Sequence, residues 1–381
     1  MLKQIPLSLY IHFPWCLRKC PYCDFNSHHK PEHLPEQAYL AALVEDLAHD
    51  CQLIANRPIQ TIFLGGGTPS LFSAESLNYL LEQLAKRLNF AGNIEITLEA
   101  NPGTFEQQRF KAYRQAGINR LSIGIQSFDD RQLKNLGRIH CAAESLRAVT
   151  VARDAGFDNI NLDLMFGLPE QTIEEGLQDL KQSLALQPSH LSWYQLTLEP
   201  NTLFYKHPPR LPQSDLIWEM QCKGQELLEA HGFTQYEVSA YAQSNKQCQH
   251  NLNYWQFGDY LGIGAGAHGK ISQHLPLQIK RYHKTKHPTH YLNRDRKFIA
   301  EEKTLTSNEK LFEFMLNVLR LKEGVTKELF YQRTGLTESI LAKPIAEAMT
   351  KELLVNSPTH FQASALGWRF LDDLTSLFLV E

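Results

Sequence analysis

The chain has 381 residues, 43% of them hydrophobic and 21% charged, enough for two or three units with well-buried cores. Thirty-eight basic residues stand against forty-one acidic ones, a formal charge of −3. That balance excludes both the broad basic field of a non-specific nucleic-acid binder and the acidic block of a disordered tail. Seven cysteines, three of them within eight residues, do not make the evenly paired set of a secreted disulfide scaffold, so thiols in a reducing cytoplasm are expected. The apolar stretch 7–17 contains His12 and Pro14 and leads into Arg18 and Lys19 rather than a cleavage site. No run approaches the ~20 apolar residues of a membrane span, and a soluble protein is expected.

From residue 7 to about 197, short β-branched runs alternate with longer amphipathic stretches. Strands are predicted at 7–12, 61–64, 94–99, 120–125, 159–164 and 190–196, with helices at 35–55, 74–88, 105–115, 142–155 and 173–186 between them. Ser73 is placed to cap the second helix, and Thr104 with Gln107 has the form of a capping box for the third. Gly117 and Gly156 fall where helices three and four should stop. Six strands joined by five helices predict a parallel α/β sheet; periodicity leaves a partly closed barrel and an open doubly wound sheet both open.

After Pro200 the rhythm breaks. Residues 201–212 are proline-rich and predict a loop, and the stretch to about 298 is mixed, with aromatics, a glycine run and many histidines. Helices are predicted at 308–321, 326–335, 338–351 and 366–379, with 353–355 and 360–361 as a short two-stranded wing. This winged-helix-like module has no basic recognition helix, which argues for packing or interaction rather than DNA binding.

Cys16, Cys20 and Cys23 have the spacing C-x3-C-x2-C. Three thiolates on one loop can hold a face of a [4Fe–4S] cube and leave its fourth iron open. The bland alternative is zinc held by the three cysteines with His12, His28 or His29. Polar residues at successive strand ends argue against a plain zinc knuckle. They include Gly66, Gly67 and Thr68 after the second strand, Glu99 at the end of the third, Gln126 and Arg138 after the fourth, and Asp163 in the fifth. Each alone is more often structural: a turn, a helix cap or a local salt bridge.

The segment Tyr10-Ile-His-Phe-Pro-Trp-Cys16-x3-Cys20-Pro-Tyr22-Cys23-Asp-Phe25 resembles the signature of radical S-adenosylmethionine (SAM) proteins, and within them the oxygen-independent coproporphyrinogen III oxidase family. The resemblance runs over nearly the whole chain. It implies a partial (β/α)6 barrel over 1–200, a barrel extension over 201–300 and a helical, winged-helix-like module over 301–381. It also implies a [4Fe–4S] cluster on Cys16, Cys20 and Cys23. By the same resemblance SAM is contacted by Tyr10, Tyr22, Gly66, Gly67, Thr68, Glu99, Gln126, Arg138, Asp163 and Thr197, together with His268.

Two functions divide that family. The oxidases decarboxylate coproporphyrinogen by radical chemistry and carry a fourth cysteine where this chain has Phe25. They also have an extension ahead of the tyrosine, where only nine residues precede Tyr10. The sequence His250-Asn-Leu-Asn-Tyr254-Trp255 would alone be a loop histidine beside two core aromatics. It matches the motif of the HemW-type haem chaperones, implying haem held by His250, Tyr254 and Trp255 and passed to an acceptor protein. The expected function is therefore haem transfer, with the oxidase as the alternative. The implied partners are haem and an acceptor protein, with peripheral contact at a membrane if the acceptor lies there, and no nucleic acid. Cys51, Cys141, Cys222 and Cys248 show no pairing pattern and are assigned no role.

Overall fold

The computed structural model describes residues 5–103, 107–273, 277–293, 295 and 297–379. Six strands lie side by side in chain order: β1 (Leu7–Phe13), β2 (Ile59–Gly66), β3 (Phe90–Ala100), β4 (Arg120–Gln126), β5 (Ile160–Phe166) and β6 (His190–Gln195). Every neighbouring pair is parallel. The connections carry α1 (Glu36–Asp50), α2 (Ala74–Ala85), α3 (Phe110–Gln115), α4 (Asp130–Asn135), α5 (Ala142–Asp154) and α6 (Ile173–Ala185). The short α4 was not foreseen. It starts at Asp129, whose carboxylate accepts the Arg131 and Gln132 amides. Ser73 caps α2 as expected, accepting the Ser76 amide, and Thr172 with Glu175 forms a capping box on α6. Thr104, proposed above as a cap, lies outside the described residues; the Nε2 of Gln107 donates to the carbonyls of Pro102 and Glu144.

The curved sheet does not close between β6 and β1, because both edges are taken by later strands. The mixed stretch after 200 holds α7 (Ser214–Ala230), α8 (Gln249–Trp255), β7 (Thr234–Glu237), β8 (Ala240–Ala242), β9 (Asp259–Ile263), β10 (His268–Gln273), β11 (Gln278–Lys284) and β12 (Ile299–Thr304). Strands β8 and β7 continue antiparallel from β6. On the other side β9 runs parallel to β1, and β10, β11 and β12 follow antiparallel. The result is a twelve-strand sheet in the order β12-β11-β10-β9-β1-β2-β3-β4-β5-β6-β8-β7.

The main core lies between the barrel strands and their helices and includes Leu9, Ile62, Leu98, Ile123 and Leu162. Packing is tight where α7 crosses β6. A methyl group at Gly224 would sit 2.0 Å from the Trp193 ring. Gly224→Ala is therefore expected to destabilise the chain by about 1–3 kcal/mol, read from its denaturation midpoint.

A buried ionic cluster fixes the extension to the barrel. Lys284 on β11 donates to Asp46 at 2.6 Å and to Asp50 at 2.8–2.9 Å, both on α1. Tyr291 donates to Asp46 at 2.6 Å and Tyr282 to Asp50 at 2.9 Å.

The C-terminal segment builds a second core around Phe314, Phe330, Leu341 and Phe361, which also takes in Phe257 and Ile279. Its first two helices are Ser307–Val318 and Lys327–Thr334. Two expectations need correction. Strand 360–361 pairs with Val325–Thr326, while 353–355 contributes only the single bridge Leu354 to Ala363. The last predicted helix is two short ones, Ala365–Arg369 and Leu371–Ser376, broken at Phe370.

Candidate functional site

Alternation along the strands decides which side chains enter the barrel. Ser8, Tyr10 and His12 share one face of β1; Glu95, Thr97 and Glu99 share one face of β3; Ser122, Gly124 and Gln126 share one face of β4. At the C-terminal mouth these ends enclose a cavity of about 430 Å³, lined also by the loop that carries Cys16, Cys20 and Cys23. Of the residues predicted to contact SAM, Tyr22, Gly66, Gly67, Thr68, Glu99, Gln126, Arg138, Asp163 and Thr197 all line it.

The glycine turn after β2 is forced by crowding. Gly66 has φ +111°, and a methyl group at Gly67 would lie 2.6 Å from the Trp15 carbonyl oxygen. The Gly67 amide donates to Phe13 and the Thr68 amide to Trp15, which locks this turn to the start of the cysteine loop. The Gly66 amide donates to Glu99 Oε2 at 3.0 Å. Burial, reinforced by Asp163, still pushes the Glu99 carboxyl up to about 8. Asp163 is raised by burial too, although Ser122 Oγ and Asn161 Nδ2 donate to its two oxygens at 3.0 and 2.8 Å. Gln126 follows an irregularity in β4, has φ +69°, and accepts the Tyr194 hydroxyl at 2.7 Å.

Arg138 reaches across the mouth. Its Nη2 donates to Asn101 Oδ1 at 2.6 Å and to the Gly124 carbonyl at 2.9 Å, and its Nη1 points at Cys20 Sγ at 3.6 Å. Its Nε is buried and has no hydrogen-bond partner among the described residues. Burial raises the Cys16 and Cys23 thiols, with Thr68 and Ser27 hydroxyls pulling the other way at Cys16. Among the described residues no group of three or more His, Cys, Asp or Glu converges on one ion-sized point. Thiolates that each hold a different iron of a cube stand further apart than ligands of a single ion. Three thiols on one cavity wall, beside a guanidinium with an unused donor, fit a cluster with an anionic ligand group next to it.

Tyr10 and His268 are placed elsewhere. They line a second cavity of about 740 Å³, together with Tyr254 and Trp255. His250 lines neither cavity. It is 1% exposed, beneath Tyr10 and Phe63, and burial pushes it down to about 3. Thr61 donates to Ser8, so His250 Nδ1–H donates to Thr61 at 2.7 Å; Nε2 accepts the Tyr254 hydroxyl at 2.9 Å. The His250 amide donates to Glu95 at 3.2 Å.

Residues the sequence did not single out include Ser122 and Tyr194, which line the first cavity, and Arg120, which is buried in the barrel interior. Arg120 is 1% exposed, and its Nε and Nη2 have no hydrogen-bond partner among the described residues. Counting two residues back along a face from Gly124 would have found Ser122. Nothing local marks Arg120, since it resembles any strand-initial arginine.

Comparison with known proteins agrees with this architecture. Residues 10–182 match the radical SAM superfamily, and residues 305–370 match the HemN C-terminal domain. The chain is 52% identical to the heme chaperone HemW of Haemophilus influenzae and 48% identical to that of Escherichia coli, covering 100% of both chains in each case. The solved structure of coproporphyrinogen III oxidase (HemN) from Escherichia coli superposes with a TM-score of 0.83 at 22% identity, over 98% of this chain and 90% of that one. The chain belongs to the radical-SAM superfamily and, within its coproporphyrinogen III oxidase-like family, to the HemW group.

Proposed function

We propose that the chain binds haem and hands it to an acceptor protein, on a scaffold that keeps a [4Fe–4S] cluster on Cys16, Cys20 and Cys23 and an exchangeable SAM beside it. The observation carrying this reading is the hexapeptide at 250–255 in a chain whose full-length relatives are named as haem chaperones. Phe25 at the position of the oxidases' fourth cysteine supports the same choice. When bound, the cluster offers an open iron to the amino and carboxylate groups of SAM. The roles of this chain follow from charge and donor type. Arg138 holds the carboxylate side of the ligand and shields the Cys20 thiolate. Glu99 accepts a hydrogen bond from the ligand's amino group. Asp163 accepts from ribose hydroxyls, while Gly66, Gly67 and Thr68 let the ligand approach the backbone. His250 acts as a positioning residue: its Nε2 fixes the Tyr254 hydroxyl, and with it the aromatic wall formed by Tyr254 and Trp255.

The test combines three measurements on one anaerobically reconstituted sample: the visible absorbance of the cluster, a haem titration and coproporphyrinogen turnover. One haem per chain is expected, with weaker binding in His250→Ala, loss of cluster absorbance when any of the three cysteines becomes alanine, and no protoporphyrinogen. Sustained decarboxylation would install the oxidase reading instead.

A further inference from the structure

The second cavity lies beside the first, between the cysteine loop, α8 and the β9–β11 edge. Its volume of about 740 Å³ is in the range of cofactor-sized sites. Aromatic rings supply much of its wall: Tyr254, Trp255 and Tyr260, with Phe25 at the rim and 58% exposed. Two buried polar atoms on this wall have no hydrogen-bond partner among the described residues, Trp255 Nε1 and His28 Nε2.

Among the described residues three histidines line the cavity, and geometry separates them. His12 is used up: Tyr10 donates to its Nδ1 at 2.9 Å, and its Nε2 donates to the Asn26 carbonyl at 2.9 Å. His28 has its Nε2 closed off from solvent and its ring edge-on to His287. His268, at the start of β10, is exposed, and its ring makes no hydrogen bond among the described residues. The cations separate in the same way. Lys270 is committed to Asp259 at 3.0 Å and Arg281 to Glu313 at 3.3 Å. Lys19 donates only to the Phe25 and Ser27 carbonyls, and neither Lys19 nor Lys286 is in an ion pair among the described residues.

An aromatic wall, one accessible imidazole and two ammonium groups outside any ion pair among the described residues suit a flat metallo-macrocycle with two carboxylates. We propose that haem seats in this second cavity, with His268 rather than His250 as its iron ligand and with Lys19 and Lys286 receiving the propionates. The assignment rests on the haem reading above and adds to it where the haem lies and what holds it. A neutral imidazole ligates the iron, and each ammonium forms a charge-assisted bond to a propionate. Tyr254 and Trp255 then serve as the macrocycle's apolar face, held in place from behind by His250.

Ferric haem titrated into the reconstituted full chain, followed by Soret absorbance and magnetic circular dichroism, tests this. The unaltered chain should give an imidazole-ligated spectrum. His268→Ala should lose that spectrum and bind about tenfold more weakly, and added imidazole should restore it. The double change Lys19→Gln with Lys286→Gln should weaken haem by about tenfold while haem dimethyl ester binds as it does to the unaltered chain. His250→Ala should lower affinity yet keep the imidazole signature. A His268→Ala protein with an unchanged spectrum overturns the assignment, as does loss of the signature in His250→Ala or His28→Ala. An unaltered chain that takes up no haem overturns the haem reading itself.

Discussion

Replacing Lys284 by methionine is expected to cost about 3–5 kcal/mol of stability, because it leaves two buried carboxylates facing each other without their cation. Lys284, Asp46 and Asp50 have side chains no more than 1% exposed. Even with Lys284 in place, burial and the neighbouring Asp50 hold the Asp46 carboxyl up at about 6. The folded chain therefore keeps a proton on Asp46 between the unfolded value of 3.8 and about 6, and stability falls as pH rises through that window. Without the lysine the window widens upward, so the penalty in Lys284→Met should be largest at pH 8 and much smaller near pH 5. Adding Asp46→Asn and Asp50→Asn should recover most of the loss, since removing a whole buried ion cluster is far less costly than removing one partner. Denaturant midpoints for the three proteins at both pH values decide the matter. Equal midpoints for the single variant and the unaltered chain would mean that the cluster contributes nothing.

The second large effect is a gain. Glu99 keeps some surface at the open mouth shared by the two cavities, and solvent there tempers the effect of burial. Its folded value of about 8 lies above the ordinary 4.5, so the folded state holds a proton that the unfolded chain releases between those values. Stability without ligand therefore declines across this range, and Glu99→Gln removes the part of the decline that Glu99 causes. The variant should be more stable than the parent by on the order of 2 kcal/mol at pH 8 and about equal at pH 4.5. Glutamine can still accept the Gly66 amide, so the turn after β2 should survive. Thermal midpoints of the cluster-free chain from pH 4.5 to 8 give the curve. A parallel pH dependence in parent and variant would show that Glu99 is ionised throughout.

The six barrel strands were legible because each is a short apolar run whose interior face is set by alternation and whose end carries a turn. Ser73 and the glycines after α3 and α5 mark the helix ends for equally local reasons. The strands after residue 230 were hidden. β7 and β8 are three or four residues long, β9 contains a glycine, and the Lys, Arg and His of β11 include Lys284, which is buried against two carboxylates of α1. Their pairing is decided by which sheet edge the barrel leaves open, which no local pattern records. The wing differs from the expectation for the same reason: 360–361 pairs with Val325–Thr326, while 353–355 bonds one step further on, the Val355 amide to Gln362 and the Ser364 amide to Leu353.

The candidate site divides similarly. Nine of the residues expected at the SAM site share one cavity because successive strand ends must converge there. The motif at 250–255 falls on α8, but its spacing cannot say which ring faces the cavity. On α8, His250 and Tyr254 are one turn apart, so their side chains are neighbours. Their hydrogen bond turns the histidine inward and leaves Tyr254 on the cavity wall.

Six of the described residues line both cavities: Lys19, Asp24, Phe25, Ser27, Gly66 and Glu99. Four of them belong to the cysteine loop, so the partition between the two spaces is the loop that would carry the cluster. Ligands on its two sides share one set of conformations. Whatever factor one ligand imposes on the affinity of the other must be returned in equal measure. If SAM orders the loop in the form that accepts haem, then haem retains SAM by the same factor, and release of either cargo becomes a signal readable at the opposite face.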